Sequence, residues 1–196
     1  MSAHAQPRLT PEEYFALDEK SELRHEFHEG VMYAMSGGSP PHAFINTALG
    51  RELGNAFKNR PRWVAVGTLR VRAGENFYTY PDTVIVRGEP KYAPENAHTL
   101  LNPTALIEVL SPSTEAHDRG FKWAHYRKIE SLKEYALVSQ SEPLVEIFRR
   151  QSSGDWLLSE SAGLGAVCRF DSVECAIPLA EIYDKVSFDE PSNMRT

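Results

Sequence analysis

The stretch Ala105–Lys128, with the sequence ALIEVLSPSTEAHDRGFKWAHYRK, contains a strand, a turn and a helix in close succession. Ala105–Leu110 is apolar except for Glu108, and this short apolar run before a Ser/Pro turn predicts a buried β-strand. A carboxylate inside such a strand is costly to bury unless it pairs with a cationic side chain or binds a metal ion. The helical pattern that follows carries Lys122 near its start. Glu108 and Lys122 therefore form either a structural ion pair or part of a functional site.

The composition is that of an ordinary soluble globular protein. The 196 residues are 41% hydrophobic and 24% charged, which is sufficient for one domain with a sizeable core. We predict that this domain spans residues 10–185 and that residues 1–9 and 186–196 are polar tails. No run approaches the roughly 18 apolar residues of a membrane span, and no signal-peptide pattern opens the sequence, so a cytoplasmic protein without membrane contact is expected.

Charge and cysteine content argue against two classes of binding protein. The net charge of −6 disfavours general binding of polyanions, so any contact with nucleic acid would require a local basic patch. The two cysteines, Cys168 and Cys175, are too few and too isolated for a disulfide framework or a zinc knuckle.

Local patterns predict alternating helices and strands. The tetrapeptide TPEE at positions 10–13 combines a helix N-cap, a proline at the first helical position and a capping box. Two short runs around a Glu-Gly turn predict a β-hairpin, with Glu26 on its first strand. Apolar spacings of three and four predict an amphipathic helix over His42–Asn59. Arg87–Asn102 is rich in proline, asparagine and charge and is predicted to be a surface excursion.

The interleaving of these elements predicts an α/β or α+β domain with one central mixed sheet flanked by helices. After the Ser/Pro turn, Asp118 is expected to cap a helix that continues to Ile129 and carries Lys122 about one turn inside it. Arg70 and Arg72 project to one side of an earlier strand, where they would face phosphate or solvent.

Three acidic residues stand in or beside strand-like runs: Glu26, Asp82 and Glu108. Hard divalent cations such as Mg²⁺ take carboxylate oxygens and keep several waters. A lysine beside such a cation, here Lys122, can orient a water and stabilise negative charge on a phosphate. These residue types therefore suffice for phosphodiester hydrolysis. As structural alternatives, Asp82 is a turn residue after Pro81, and Glu26 is a solvated acid of the hairpin.

The same motifs resemble those of the Uma family of restriction endonucleases, which belongs to the PD-(D/E)XK nuclease superfamily. The resemblance runs from about position 10 to 183 and rests on YPD at 80–82, IEVLSPST at 107–114, Asp118, Lys122 and Tyr126. Its most specific part is the stretch from Glu108 to Tyr126. Pro81 and Asp82 match the "PD" of the superfamily, and Glu108 matches its second acid. The lysine usually follows that acid by two residues, whereas the Uma family displaces it to the next helix, where Lys122 matches it.

This resemblance implies a restriction-endonuclease-like fold and Mg²⁺- or Mn²⁺-dependent cleavage of nucleic acid, with DNA as the expected substrate. It implies that Asp82, Glu108, Glu26 and the carbonyl of Val109 bind the metal. Lys122 would position or deprotonate the attacking water. A homodimer is expected, since two sites related by a two-fold axis can cut two strands.

The sequence also departs from the family and leaves other functions open. Ser139 stands where the family often has an aspartate, and His42 matches a histidine after its Gly/Ser loop but is also an ordinary polar residue at a helix start. A non-catalytic module that binds nucleic acid or protein is the main alternative, and the acidic net charge favours it. A hydrolase using Ser111 or Ser113 would need a neighbouring histidine. A metal-induced rise in melting temperature would indicate an intact metal site.

Overall fold

The structure, a computed structural model, describes residues 8–35 and 37–188. Its α-helices are α1 (Pro11–Asp18), α2 (Pro40–Phe57), α3 (Trp123–Tyr126) and α4 (Leu179–Ile182). Its strands are β1 (His25–His28), β2 (Val31–Ala34), β3 (Arg62–Val66), β4 (Arg70–Gly74), β5 (Phe77–Thr79), β6 (Thr83–Arg87), β7 (Tyr92–Ala93), β8 (Asn96–Leu100), β9 (Ala105–Leu110), β10 (Glu134–Ser139), β11 (Leu144–Arg150), β12 (Trp156–Ala162), β13 (Val167–Phe170) and β14 (Cys175–Pro178). A π-helix covers His117–Lys122, and a 3-10 helix covers Asp171–Val173. The alternation of helices and strands confirms the predicted α/β class.

The central sheet contains six strands in the order β12-β11-β10-β9-β6-β3. β9 and β10 run parallel, and the other neighbours are antiparallel, so the sheet is mixed, as predicted. Every residue of β9 and β10 is buried. Strands covered on both faces read as continuous apolar runs, which explains why β9 was recognisable in the sequence.

The prediction of one sheet is wrong, because the structure contains a second six-stranded sheet in the order β2-β1-β5-β4-β8-β7 and a small sheet of β13 and β14. A local pattern indicates that a segment is extended but not which strand it pairs with. The predicted excursion Arg87–Asn102 illustrates this point, since it contains β7 and β8, and β8 pairs in parallel with β4.

Two apolar clusters enclose β9 from opposite sides. Ile107 and Val109 belong to the cluster that includes α2 residues, whereas Leu106 and Leu110 belong to the cluster that includes residues of β4, β5 and α3. Alternate residues of a strand point to opposite faces. Glu108 therefore lies on the same face as Leu106 and Leu110, toward the second sheet and the helical segment after β9.

A buried ion pair joins α1 to the second sheet. Asp18 is fully buried, and its Oδ2 lies 2.7 Å from Nη2 of Arg70 and accepts a hydrogen bond from Tyr80. The expectation that Arg70 faces phosphate or solvent is wrong, because its guanidinium neutralises a carboxylate that water cannot reach. Arg72, two residues later on the same strand, forms a more exposed ion pair with Glu95 (3.0 Å).

The segment after the Ser/Pro turn begins as a π-helix, so the prediction that Asp118 caps an α-helix ending at Ile129 is wrong. The amide of Trp123 donates to the carbonyl of Asp118, five residues earlier. The Asp118 carboxylate is buried and lies 3.0 Å from Nζ of Lys122. Pairing with a buried ammonium has replaced the expected cap, and π-type turns occur frequently at functional sites.

Both ends of the described chain pack onto the domain. Leu9 packs beside Tyr14 and Phe27, and Val186 and Phe188 pack against the cluster that includes α2. The other residues of the predicted tails, 1–7 and 189–196, lie outside the described residues. Within residues 8–35 and 37–188, no helix is long and apolar enough to cross a membrane. The domain limits 10–185 stay a prediction.

Candidate active site

Asp82 and Glu108 occupy opposed positions, one step beyond the last residue pair of β6 and β9. The antiparallel ladder of β6 and β9 pairs Thr83 with Ile107, so the next step places Asp82 opposite Glu108. Opposed residues in a sheet have Cβ atoms about 4.5–5.5 Å apart. The amide of Asp82 donates to Glu108 Oε2 (3.3 Å), and the amide of Val109 donates to Asp82 Oδ2 (2.8 Å). Backbone geometry thus brings together two acids that the sequence separates by 26 residues.

Lys122 lies against three carboxylates. Its Nζ is 3.0 Å from Asp118 Oδ1, 3.1 Å from Glu108 Oε1 and 3.3 Å from Glu26 Oε1. Lys122 is only 5% exposed and Glu108 only 2%, so water screens these charges weakly. The hydroxyl of Tyr126 also donates to Glu108 Oε1, at 2.8 Å. We call Glu26, Asp82, Glu108, Asp118 and Lys122 the acid–lysine cluster.

Glu26 enters this cluster from β1 of the second sheet. Its Oε1 accepts a hydrogen bond from the hydroxyl of Thr79 (2.6 Å), and its Oε2 lies 3.1 Å from Nε2 of His117. Burial alone would raise the pKa of Glu26, but the contact with His117 and the charge of Lys122 lower it to about 2. Glu26 is therefore an ionised carboxylate at neutral pH.

The pKa values of Glu108 and Lys122 are both raised, each by the groups around it. Burial, together with the negative charges of Asp82 and Asp118, raises the pKa of Glu108 to about 8, although Lys122 opposes this shift. Burial would lower the pKa of Lys122, but the carboxylates of Glu108, Glu26 and Asp118 raise it well above its usual value. The ammonium therefore persists at neutral pH, whereas the pKa of Glu108 lies close to neutrality, so a bound cation would favour its ionised form.

His42 approaches Asp82 from the start of α2. Its Nε2 lies 3.1 Å from Asp82 Oδ2, and its Nδ1 lies 3.2 Å from the side-chain amide of Asn46. The hydrogen bond with Asp82 raises the pKa of His42. His42 lies in the first turn of α2 and its side chain contacts Asp82, so its position at a helix start is compatible with a role in the site, which stays a prediction.

A cavity of about 540 Å³ opens onto the cluster. All five residues that the sequence singled out as metal ligands or catalytic groups line it: Glu26, Asp82, Glu108, Val109 and Lys122. Two further contacts, from Thr79 and His117 to Glu26, were not found from the sequence. They lie 53 and 91 residues from Glu26 and carry no local signal.

The negative charge and oxygen donors of the carboxylates suit a hard cation, but the side chains are oriented toward Lys122 and do not surround a common point. Three carboxylates contact one ammonium, with the carboxylate of Asp82 beside them, and the buried Asp118 Oδ1 has no hydrogen-bond partner within the described residues besides its ion pair with Lys122. The same part of the chain contains no group of three or more His, Cys, Asp or Glu side chains positioned to hold a metal ion. Glu26, Glu108 and Asp118 instead turn toward Lys122. The residues fit a divalent cation in their donor chemistry, provided that some side chains rotate away from the lysine.

The Ser-rich turn shows no sign of a nucleophilic serine. The hydroxyl of Ser111 lies 3.0 Å from that of Ser113 and 2.9 Å from that of Thr114. In the described residues, neither serine hydroxyl is hydrogen-bonded to a histidine. The hydroxyls are used to shape the turn, so the serine-hydrolase alternative lacks its base.

Comparisons with known sequences identify a family and two similar proteins. The family model Uma2, described as "Putative restriction endonuclease", matches residues 11–174. Two proteins of Synechocystis sp. are also similar. "Uncharacterized protein slr1290" is 34% identical over 153 residues, which is 78% of this chain and 80% of that protein. "Uncharacterized protein sll1609" is 31% identical over 163 residues, which is 83% of this chain and 92% of that protein.

A solved structure shares the fold. It is the crystal structure of "a putative nuclease belonging to DUF820" from Anabaena variabilis, and it aligns with a TM-score of 0.73 over 89% of this chain and 97% of that chain. Sequence identity is 18%, so this likeness concerns the fold alone. It confirms the predicted nuclease-type architecture.

Proposed function

The chain belongs to the Uma2 family, and from this premise we propose that it is a metal-dependent endonuclease that hydrolyses phosphodiester bonds of nucleic acid. Family membership supports a nuclease-like function. Metal-dependent hydrolysis is supported by the position of Lys122, which lies within 3.3 Å of three carboxylates in an open cavity. DNA as the substrate and a homodimer as the active form stay predictions.

Mg²⁺ or Mn²⁺ would be held by the carboxylates of Asp82 and Glu108, by the carbonyl of Val109 and by Glu26, directly or through water. When bound, such a cation supplies a Lewis acid for the phosphate and a water of lowered pKa. The hydrogen bond from the Val109 amide fixes the orientation of Asp82, whereas Glu108, which bonds to Lys122 and Tyr126, would turn from the lysine to reach the cation. A ligand that is held in place, as Asp82 is, avoids the free-energy cost of ordering it during the reaction.

Lys122 would act on the substrate. Its three N–H donors all face carboxylates in the metal-free protein, so the ammonium would donate to the attacking water or to a non-bridging phosphate oxygen once one of these carboxylates has turned to the cation. Its positive charge would stabilise the negative charge that develops on the phosphate. The three carboxylates raise its pKa, which favours a role as hydrogen-bond donor and electrostatic stabiliser over that of a general base.

The test is cleavage of single- and double-stranded DNA and of RNA by wild type, Lys122→Ala, Lys122→Arg and Lys128→Ala, with Mg²⁺, Mn²⁺ or chelator. Lys128 is exposed and close in sequence, so it controls for loss of a positive charge. Lys122→Ala should lower the rate at least about a hundredfold, and Lys122→Arg should restore it only in part. Circular dichroism at the assay temperature checks that each variant is folded.

A non-catalytic module that binds nucleic acid or protein is the second candidate, and the net charge of −6 favours it, because a nuclease usually presents a basic surface to its substrate. Equal rates for wild type and Lys122→Ala would remove the lysine from the mechanism. A wild-type protein that is stabilised by Mg²⁺ or Mn²⁺ but cleaves none of the substrates would support the binding module instead.

A further inference from the structure

Tyr33 is an exposed aromatic residue on the wall of the cavity. Its side chain is 52% exposed, and it lines the same cavity as the acid–lysine cluster. It lies on β2, the strand at one edge of the second sheet. An exposed tyrosine is common on a protein surface. An exposed ring at the rim of a charged cavity, however, is accessible and lies next to the place where a ligand of the cavity would bind.

The strand register fixes where Tyr33 stands relative to the cluster. In the antiparallel pair of β1 and β2, Tyr33 is directly opposite Glu26. Opposed side chains project from the same face of a sheet, with Cβ atoms about 5 Å apart. The neighbouring pair, Phe27 and Met32, projects to the other face and joins an apolar cluster with Tyr14. Tyr33 is therefore one side-chain width from a carboxylate that lies 3.3 Å from Lys122 Nζ.

The two imidazole rings that line the cavity are already engaged, His42 by its contact with Asp82 and His117 by stacking. His117 stacks on Phe121, with ring centroids 4.9 Å apart and an angle of 17° between the planes, and it contacts Glu26. Tyr33 makes no stacking contact with another ring in the described residues. Its ring is thus available to a planar group that approaches with a phosphate.

We propose that Tyr33 is a stacking platform for an unpaired nucleobase next to the phosphate that enters the cavity, so that single-stranded nucleic acid is the preferred ligand. The part of this inference that concerns the phosphate rests on the proposed function. A base inside a duplex has both faces covered by its neighbours, whereas a base in a single strand offers a free face to tyrosine. Stacking also suits a protein with a net charge of −6, which gains little from general phosphate attraction.

The experiment measures binding, without cleavage, of a short fluorescein-labelled oligodeoxythymidylate by fluorescence anisotropy in chelator and in Ca²⁺. Wild type, Tyr33→Ala, Tyr33→Phe and Tyr92→Ala are compared. Tyr92 is a matched control, because it is 46% exposed on β7, the opposite edge strand of the same sheet, and does not line the cavity. We expect Tyr33→Ala to weaken binding about tenfold at both low and high salt, and Tyr33→Phe and Tyr92→Ala to bind like wild type.

A second set of probes carries one abasic position, moved along the strand. At the position that stacks on Tyr33, loss of the base should weaken wild-type binding about tenfold and leave Tyr33→Ala unchanged, because the two changes remove the same contact. A duplex of the same sequence should bind Tyr33→Ala and wild type equally.

Equal weakening by Tyr33→Ala and Tyr92→Ala would overturn the inference. So would additive effects of Tyr33→Ala and the abasic substitution at every position, or no binding of the oligonucleotide by wild type. Cleavage is measured separately, so the two proposals can fail independently. Tyr33-dependent binding without cleavage would reject the nuclease, whereas cleavage of single-stranded substrate by a protein whose oligonucleotide binding does not depend on Tyr33 would reject the stacking platform.

Discussion

The ammonium of Lys122 lies 3.1 Å from Oε1 of Glu108, although fourteen residues separate them in the sequence. The chain leaves β9 at a Ser/Pro turn and returns over the sheet as a π-helix that carries Lys122. A lysine on the helix that follows the strand can therefore contact the carboxylate of Glu108. This is the carboxylate that a lysine two residues after Glu108, on the strand itself, would contact.

The first prediction concerns the stability of the cluster. Lys122→Ala would leave the buried carboxylates of Glu26, Glu108 and Asp118 without their shared cation, and we expect the free energy of unfolding to fall by about 3–5 kcal/mol. Urea unfolding in chelator measures this loss. Lys128→Ala should change stability by less than about 0.5 kcal/mol. A Lys122→Ala protein as stable as the control would show that the cluster does not depend on its lysine.

The second prediction concerns Asp82. Asparagine keeps an oxygen that can accept the hydrogen bond from the Val109 amide, so Asp82→Asn should change the stability of the metal-free protein by less than about 1 kcal/mol. It should abolish the rise in melting temperature that Mg²⁺ or Mn²⁺ causes in wild type. Asp184→Asn, which removes an exposed carboxylate, should leave that rise intact. A large loss of metal-free stability in Asp82→Asn would assign Asp82 a structural role.

The third prediction concerns pH. The folded-state pKa of Glu108 is about 8, against 4.5 for the free side chain, so the folded protein binds the extra proton between these values. The contribution of Glu108 to stability is therefore greatest below pH 4.5 and is lost as the pH rises toward 8, by at most about 1.4 kcal/mol per pH unit. Glu108→Gln should remove this slope in urea unfolding of the metal-free protein.

His42 and Glu26 also contribute to the change of the unfolding free energy with pH. The raised pKa of His42 gives a contribution of the same sign, which is also lost as the pH rises, so His42→Gln separates it from that of Glu108. The pKa of Glu26 is lowered to about 2, so its contribution is present above 4.5 and is lost only as the pH falls toward 2. An unchanged slope in Glu108→Gln would show that Glu108 is ionised throughout this range.

The fourth prediction compares two arginines on β4. Arg70→Met would leave the fully buried carboxylate of Asp18 without its arginine, with only Tyr80 and His25 as side-chain contacts, and we expect a loss of about 3–5 kcal/mol in the free energy of unfolding. Arg72→Met removes the more exposed pair with Glu95 and should cost less than about 1 kcal/mol. Thermal and urea unfolding of both variants provide the measurement. Equal effects would mean that the burial of Asp18 does not need Arg70.

Local sequence determined the elements whose signals lie within a few residues. The strand Ala105–Leu110 has the predicted bounds, the first helix begins at the predicted proline, and the predicted capping box is formed. The hairpin that carries Glu26 is also present, with its turn at the predicted Glu-Gly pair. Apolar runs, capping residues and turn residues act through neighbours along the chain, so they can be recognised without knowledge of the fold.

Only the tertiary structure decided what surrounds these elements. The sequence did not reveal the second sheet, which brings Glu26 to Lys122, or the contact of His117 with Glu26 across 91 residues. The sequence also predicted that Asp118 caps an α-helix, whereas in the structure Asp118 forms an ion pair with Lys122 inside a π-helix. Strand pairing and the neutralisation of buried charge depend on groups far apart in the chain, and their free energies outweigh the local preferences that a sequence pattern reports.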